Sequence, residues 1–123
     1  MKLRIAALIF GIAFLGAGIA WYLPFFFDSR GLLLGLFQVD AMHNKIHLAS
    51  GLVALAAASL SSRISQLYFK IFGLVYGLLG IVGLVMPEQL VSMQFNTADH
   101  VLHLVIGFIA LMLGFRLKVP AGE

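Results

Sequence analysis

Two pairs of histidines are the residues of this 123-residue chain whose type and spacing could support chemistry. His43 precedes His47 by four residues. His100 precedes His103 by three, so each pair would lie along one side of a helix. Imidazole nitrogens bind divalent metals and haem iron, and they also donate and accept hydrogen bonds. Because the chain is 62% hydrophobic, burying four such groups in it is costly and calls for a reason.

A metal site is one such reason. The predicted ligands are His43, His47, Asp99 and His103, with His100 as a substitute for one of them. Three imidazoles and a carboxylate suit zinc, iron, manganese or copper(II), and the chain has no cysteine to supply the soft sulfur that copper(I) prefers. Bundle cores commonly build metal sites from pairs of helices that each give two ligands.

Two other interpretations stay open. Hydrogen bonds from the histidines to carbonyls, amide side chains or water would form a polar belt that fixes helix pairing, each worth roughly half to two kcal/mol in a membrane. Alternatively, His47 and His103 could be opposed axial ligands of haem, with glycines making room for the flat ring. The glycines concerned are Gly11, Gly18, Gly73 and Gly80. Such spacing of small residues favours close helix contact over a haem slot.

Other polar residues near the histidines have a simpler explanation as helix caps. Asp40 and Asn96 come directly before the two apolar segments that carry the histidines, where a side-chain oxygen can satisfy an unpaired amide. Asp99 follows Asn96 by three residues and can complete a capping box. For all three residues, capping is favoured over a ligand role.

Four apolar segments must position these groups: Ile5 to Phe27, Ala41 to Leu60, Ile71 to Met86 and Val101 to Phe115. The first is free of charge and long enough to span a bilayer, and the short third and fourth are extended by 67–69 and by Leu117. A mean hydropathy of +1.05 is far above that of soluble domains of this size. We therefore predict a single all-α integral membrane domain over residues 1–123.

The chain contains an internal repeat. The sequence "IFGIAFLGAGIAWYLP" from Ile9 aligns with "IFGLVYGLLGIVGLVMP" from Ile71, and further on His47 matches His103. The repeats cover about residues 5–60 and 67–116, so each is a helical hairpin and the two are parallel. This predicts a transmembrane up-down-up-down four-helix bundle. Recurrence of the first segment also favours a retained helix over a cleaved signal peptide.

Small residues follow each deeply placed histidine at helical spacing. The two predicted stripes are His47, Gly51, Ala54 and Ala58, and His103, Gly107, Ala110 and Gly114. Since small residues let helices approach closely in a membrane, we expect both stripes to face the bundle axis and bring His47 and His103 together.

The charges predict the orientation of the chain. Most cationic residues lie before the first span, between the second and third, and after the fourth: Lys2, Arg4, Arg63, Lys70, Arg116 and Lys118. Only Arg30 and Lys45 lie near the opposite loops. The positive-inside rule then places both termini in the cytoplasm. The outer side holds the histidines and four carboxylates: Asp28, Asp40, Glu88 and Asp99. The pI near 9.6 reflects this inner basic rim and does not indicate nucleic-acid binding.

Two motifs open the second and fourth segments: "HNKIHLASG" at His43 and "NTADHVLHL" at Asn96. With them, the chain resembles a family of small bacterial membrane proteins of unknown function that have four predicted spans and the patterns His-Asn-x-x-His-Leu-x-x-Gly and Asn-Thr-Ala-Asp-x-x-x-His-Leu. The resemblance covers nearly the whole chain and implies the four-helix fold and a bacterial inner-membrane location, but no reaction. His100 stands where the family often has Asn, so it is a weaker ligand candidate than His47 or His103.

Two functional hypotheses of different classes follow. The first is a membrane accessory or structural protein without catalytic activity, whose outer-face histidine cluster could bind a divalent metal. The second is a small membrane redox protein or enzyme that holds iron, copper or haem there. Nucleophilic catalysis is poorly supported, because Ser50, one turn from His47, is expected to bond its own helix backbone. The expected partner is the lipid bilayer, with a homo-oligomer or larger membrane complex left open.

Overall fold

The computed structural model describes residues 1–86 and 95–122, so the predicted outer carboxylate Glu88 lies outside the described residues. Within these ranges the chain is all-α, and no β-strand is formed there. The helices are α1 (Lys2–Ala20), α2 (Ala41–Leu60), α3 (Ser62–Val85) and α4 (Thr97–Arg116), with a short 3₁₀ turn at Pro24–Phe26.

The first and third helices differ from their predicted bounds. α1 ends at Ala20, before the end of the apolar segment at Phe27, and the Leu23 that precedes Pro24 is extended (φ −109°, ψ 112°), so the helix does not continue through the proline. α3 begins at Ser62, several residues before the predicted start, because the Ser61 hydroxyl accepts a hydrogen bond from the Ile64 N–H at 3.1 Å. The single residue between α2 and α3 is therefore itself a helix cap.

Among the described residues, three of the four α-helices are long and apolar enough to cross a membrane: α1, α3 and α4, with mean hydropathies of 2.1, 1.9 and 1.8. Their exposed faces carry many large aliphatic side chains. α2 is less apolar because its first two turns contain His43, Asn44, Lys45 and His47. These properties indicate a membrane protein.

Close backbone contact joins α1 to α2 and α3 to α4. A Cβ atom added at Gly51 would lie 3.1 Å from the carbonyl oxygen of Gly11, and one at Gly107 would lie 2.9 Å from that of Gly73. A Cβ at Gly80 would lie 2.8 Å from the Leu104 nitrogen. The prediction that glycines serve helix contact is confirmed, since no side chain fits in these places.

The small-residue stripes do not face each other across the bundle, so their predicted direction is wrong. The predicted approach of His47 and His103 is confirmed, since their ring centroids are 6.2 Å apart. Gly51 packs on Leu15 and Gly11 of α1, whereas Gly107 packs on Gly73 and Gly77 of α3. The glycine of each stripe therefore contacts the helix next to it in sequence, α1 for Gly51 and α3 for Gly107. The region between α2 and α4 is thus left to larger side chains, and it is these that include the histidines.

The segment between α1 and α2 is a tight loop tied back to the helices. Asp28 accepts hydrogen bonds from the backbone N–H groups of Leu32 (3.0 Å) and Arg30 (2.9 Å), and its carboxylate pairs with the Arg30 guanidinium at 2.7 Å. The Leu32 bond, followed by the Arg30 side chain, holds the pKa of Asp28 below its ordinary value. The Trp21 indole N–H donates to the Val39 carbonyl at 2.8 Å, which closes the loop next to the start of α2.

Candidate functional site

The first turn of α2 is fixed by its cap. The Asp40 carboxylate accepts a hydrogen bond from the His43 backbone N–H at 2.7 Å, so the predicted N-cap is confirmed. The side-chain N–H of the adjacent Asn44 donates a hydrogen bond to the Gly18 carbonyl of α1 at 3.1 Å. These two bonds set the rotation of α2, and with it the direction of His43 and of His47 one turn later.

The start of α4 is held by a capping box, as predicted. The Asn96 side chain accepts from the Asp99 N–H at 3.0 Å, and the Asp99 carboxylate accepts from the Asn96 N–H at 2.8 Å. The same carboxylate accepts from the Gln38 N–H at 3.1 Å. Asp99 therefore connects α4 to the loop before α2, and its oxygens are not part of the group of ligand atoms that the histidines form.

His43, His47 and His103 lie together between α2 and α4. Each offers one ring nitrogen, and the three nitrogens lie within 4.8 Å of one another. The ring centroids are 4.3 Å apart for His43 and His47, 5.4 Å for His43 and His103, and 6.2 Å for His47 and His103. The exposed fractions are 2%, 7% and 1%, so all three imidazoles are buried. The structure thus brings together three of the four predicted ligands.

Aromatic rings surround this histidine cluster. The Phe14 ring lies 5.8 Å from His47, and the Tyr76 ring lies 5.5 Å from His103. Phe95 is 4.5 Å from His43. Sequence reasoning did not assign these rings to the site. The alignment of Phe14 with Tyr76 was a usable signal, but Phe95 directly precedes a cap and follows no helical period that could have indicated it.

Hydrogen bonding at the cluster is incomplete among the described residues. Both ring nitrogens of His103 and Nδ1 of His47 are buried, and within that part of the chain they make no hydrogen bond. A buried polar atom without a partner costs about 1–3 kcal/mol, so such atoms are rare unless a ligand satisfies them. A structural polar belt would pair these nitrogens with protein groups or with water. Within the described residues no protein group does so, and the nitrogens are available to a ligand.

Ser50 and His100 are adjacent to the cluster and have other contacts. The Ser50 hydroxyl bonds the Tyr76 hydroxyl at 2.7 Å and not its own helix backbone, which corrects the prediction for this residue. The His100 ring is turned toward α3, where a Cβ on Gly83 would collide with it. His100 is therefore beside the three-nitrogen group and not within it.

The geometry offers little support for a haem slot. The glycines that were to make room for a flat ring are covered by leucines of the facing helices. Leu48 and Leu55 of α2 cover the glycines of α1, and Leu104 and Leu111 of α4 cover those of α3. The Phe14 and Tyr76 rings lie directly against His47 and His103. What remains between the imidazoles is room for an ion.

Fold and cluster together define the class: a small all-α membrane protein with a buried group of three imidazoles. The chain belongs to the family described as a domain of unknown function, DUF4383, whose model matches residues 4–116. The resemblance to a family of unknown function is thereby confirmed. No curated protein and no solved structure matches the chain.

Proposed function

We propose that this chain is a four-span accessory protein of the bacterial inner membrane that binds one divalent transition metal through His43, His47 and His103. The observation that carries the proposal is the group of three buried ring nitrogens within 4.8 Å. Two of these histidines have ring nitrogens without a hydrogen bond inside the described ranges. An accessory role implies that the protein acts within a homo-oligomer or a larger membrane complex.

Zinc or copper(II) fits the donor set better than iron or manganese. The three groups that converge are imidazoles, and the nearby Asp99 carboxylate is already used by two backbone amides. Manganese prefers carboxylate oxygens, and non-haem iron sites commonly need at least one, whereas zinc and copper(II) bind imidazole well. When bound, such an ion would act as a Lewis acid and would take one nitrogen of each imidazole.

Equivalent contacts in the two halves support a duplicated four-helix architecture. A Cβ at Gly18 would collide with Leu48, and one at Gly80 with Leu104, which are matching pairs in the aligned repeats. The matching aromatic residues Phe14 and Tyr76 also meet, with centroids 5.4 Å apart. Residues that meet their own counterparts are expected beside a pseudo-twofold axis. The proposed arrangement is thus up-down-up-down, with α2 included as a span.

The proposed orientation has both termini in the cytoplasm. At the end of the bundle that holds the N-terminus, Arg4 donates to the carbonyls of Ala58 (2.7 Å) and Ser59 (3.1 Å). Cationic side chains are favourable at a helix C-terminus and at the cytoplasmic face. The histidine cluster would then lie toward the outer side, and the polar start of α2 would be sheltered within the bundle.

A redox protein or metal enzyme is the second candidate, favoured by one observation. The group contains three ligand atoms, and three protein ligands leave a coordination position for a water or substrate, as in catalytic zinc centres. Stable binding of a redox-active ion, with turnover of an added substrate, would support this candidate over the accessory role.

Metal content is the direct test. The protein is purified in mild detergent without chelators, dialysed against zinc or copper(II), and measured by elemental analysis and absorption spectroscopy. We expect stoichiometric metal in the wild type and in the control His100→Ala, and loss of metal in the double variant His47→Ala/His103→Ala. A wild type that binds no metal after dialysis, or a double variant that retains it, would contradict the proposal.

A further inference from the structure

An apolar cavity of about 390 Å³ lies between α1 and α4. It is lined by five residues of α1, four residues of α4 and His47 of α2. Its volume is within the range of small-molecule sites, which are mostly apolar with a few polar groups. Since α1 and α4 make few contacts with each other, the cavity occupies a gap between two helices and not a closed core.

The cavity opens toward the lipid-facing side of the bundle. Three of its lining residues are large aliphatic side chains with exposed fractions of 60% for Ile9, 49% for Val105 and 43% for Ile109. Exposed aliphatic residues on membrane-length helices face hydrocarbon. A molecule dissolved in the bilayer could therefore enter sideways, without crossing the water.

His47 is the single polar side chain among the described residues that line the cavity. It is 93% buried, since its exposed fraction is 7%, and its Nδ1 makes no hydrogen bond within residues 1–86 and 95–122. It lies six residues into α2 from Ala41, roughly 9 Å along the helix. The cavity thus combines an apolar entrance with one buried imidazole that has an unpaired nitrogen.

We propose that this cavity binds a neutral, lipid-soluble aromatic molecule that carries ring oxygens, of the quinone or quinol class, with one oxygen hydrogen-bonded to His47. A neutral imidazole has one donor and one acceptor nitrogen, so it can bond a carbonyl or a hydroxyl. Phe10 and Phe14 on the cavity wall suit a flat ring, because aromatic rings stack favourably in offset or edge arrangements.

A phospholipid does not meet these requirements. Its charged head group remains at the interface, so only its acyl chains would reach His47 and the buried nitrogen would stay unpaired. A quinone has a head group that itself dissolves in hydrocarbon and can follow the apolar wall to the imidazole. The inference rests on the membrane location in the proposed function but not on its metal site. An imidazole that ligates a metal through one nitrogen still offers the other to a second partner.

The test is equilibrium binding of a short-chain alkyl benzoquinone to the full protein in mild detergent, compared with a saturated alcohol of the same chain length. Ala13→Phe adds a ring inside the cavity, and Ile12→Phe adds one on an exposed neighbouring position outside its lining. We expect the wild type and Ile12→Phe to bind the quinone and Ala13→Phe to lose it. His47→Leu is expected to weaken quinone binding by about tenfold, the effect of one good hydrogen bond, without changing alcohol binding.

Three results would overturn the proposal: no quinone binding by the wild type, equal binding by Ala13→Phe, or an alcohol that binds as tightly as the quinone. Metal content measured on the same samples separates this inference from the metal site. Ala13→Phe should keep its metal while losing the quinone, and chelator-treated wild type should keep the quinone while losing its metal. If the protein bound quinone but never bound metal, the quinone-binding proposal would be supported and the metal-site proposal would be contradicted.

Discussion

The two ends of the helix bundle are built on different principles. At the end that holds Ser61, the buried polar groups are paired: the Ser65 hydroxyl donates to the Ala57 carbonyl at 3.1 Å, and the Tyr68 hydroxyl donates to the Ser50 carbonyl at 3.1 Å. The core there is apolar and consists of Leu3, Ala7, Ala54, Ala57, Tyr68, Phe69 and Ala110. At the histidine end, Nδ1 of His47 and both ring nitrogens of His103 are buried without hydrogen bonds among the described residues. The packing at the Ser61 end stabilises the fold. The unpaired nitrogens at the histidine end do not contribute to that stability.

The largest expected effect is at the Ser61 end. Phe69 is fully buried and its ring meets Phe10 edge-on at 5.0 Å, so Phe69→Ala should lower the free energy of unfolding by about 3–5 kcal/mol. The matched control is Phe108→Ala, since Phe108 is 65% exposed. Denaturant titration in detergent measures both. If the two variants were equally stable, the assignment of cohesion to the Ser61 end would fail.

A smaller loss of stability is expected from a substitution where α3 and α4 are in contact. Gly107→Ala places a methyl group against the Gly73 carbonyl and the Gly77 backbone, which should cost about 1–3 kcal/mol of unfolding free energy. The control Gly77→Ala adds the same methyl group to the same helix pair where nothing lies within 4 Å. It should be neutral or slightly stabilising. A harmless Gly107→Ala, measured by thermal unfolding, would show that the close approach is not required.

At the histidine end, removing a buried polar side chain is expected to stabilise the fold. In metal-free protein, His103→Leu should raise the free energy of unfolding by about 1 kcal/mol, because it removes buried nitrogens that lack partners. Tyr76→Phe, which leaves the Ser50 hydroxyl without its 2.7 Å partner, should lower it by a similar amount. Parallel denaturant titrations compare the two. A clear loss of stability in metal-free His103→Leu would support a structural polar belt.

The smallest effect concerns the loop before α2. The pKa of Asp28 is lowered in the folded chain, so its hydrogen bonds contribute stability above the ordinary aspartate range and lose it as pH falls through the lowered value. Asp28→Asn should reduce the loss of loop stability at low pH and leave stability near neutral pH little changed. Protease sensitivity of the loop against pH would record it. If Asp28→Asn showed the same increase in protease sensitivity at low pH as the wild type, the Asp28 hydrogen bonds would not be its cause.

Local rules predicted much of this site, and packing determined the rest. Caps at Asp40 and Asn96 could be predicted because a cap depends on a few neighbouring residues. The convergence of His47 and His103 followed from their equivalence in the repeat. The direction of the Gly51 and Gly107 stripes could not be foreseen, since a small residue shows that some helix approaches but not which one. The hydrogen bond to Asp99 from Gln38, in the loop before α2, was likewise a tertiary contact without a local signal.

X-ray absorption spectroscopy of the zinc-loaded protein tests the central claim most directly, because it counts and identifies the atoms bound to the ion. The account predicts three imidazole nitrogens at about 2.0 Å, together with a light atom from water, and loss of the imidazole signal in His47→Ala/His103→Ala. A first shell made mainly of oxygen, or zinc that the double variant binds in the same way, would contradict a three-histidine metal site.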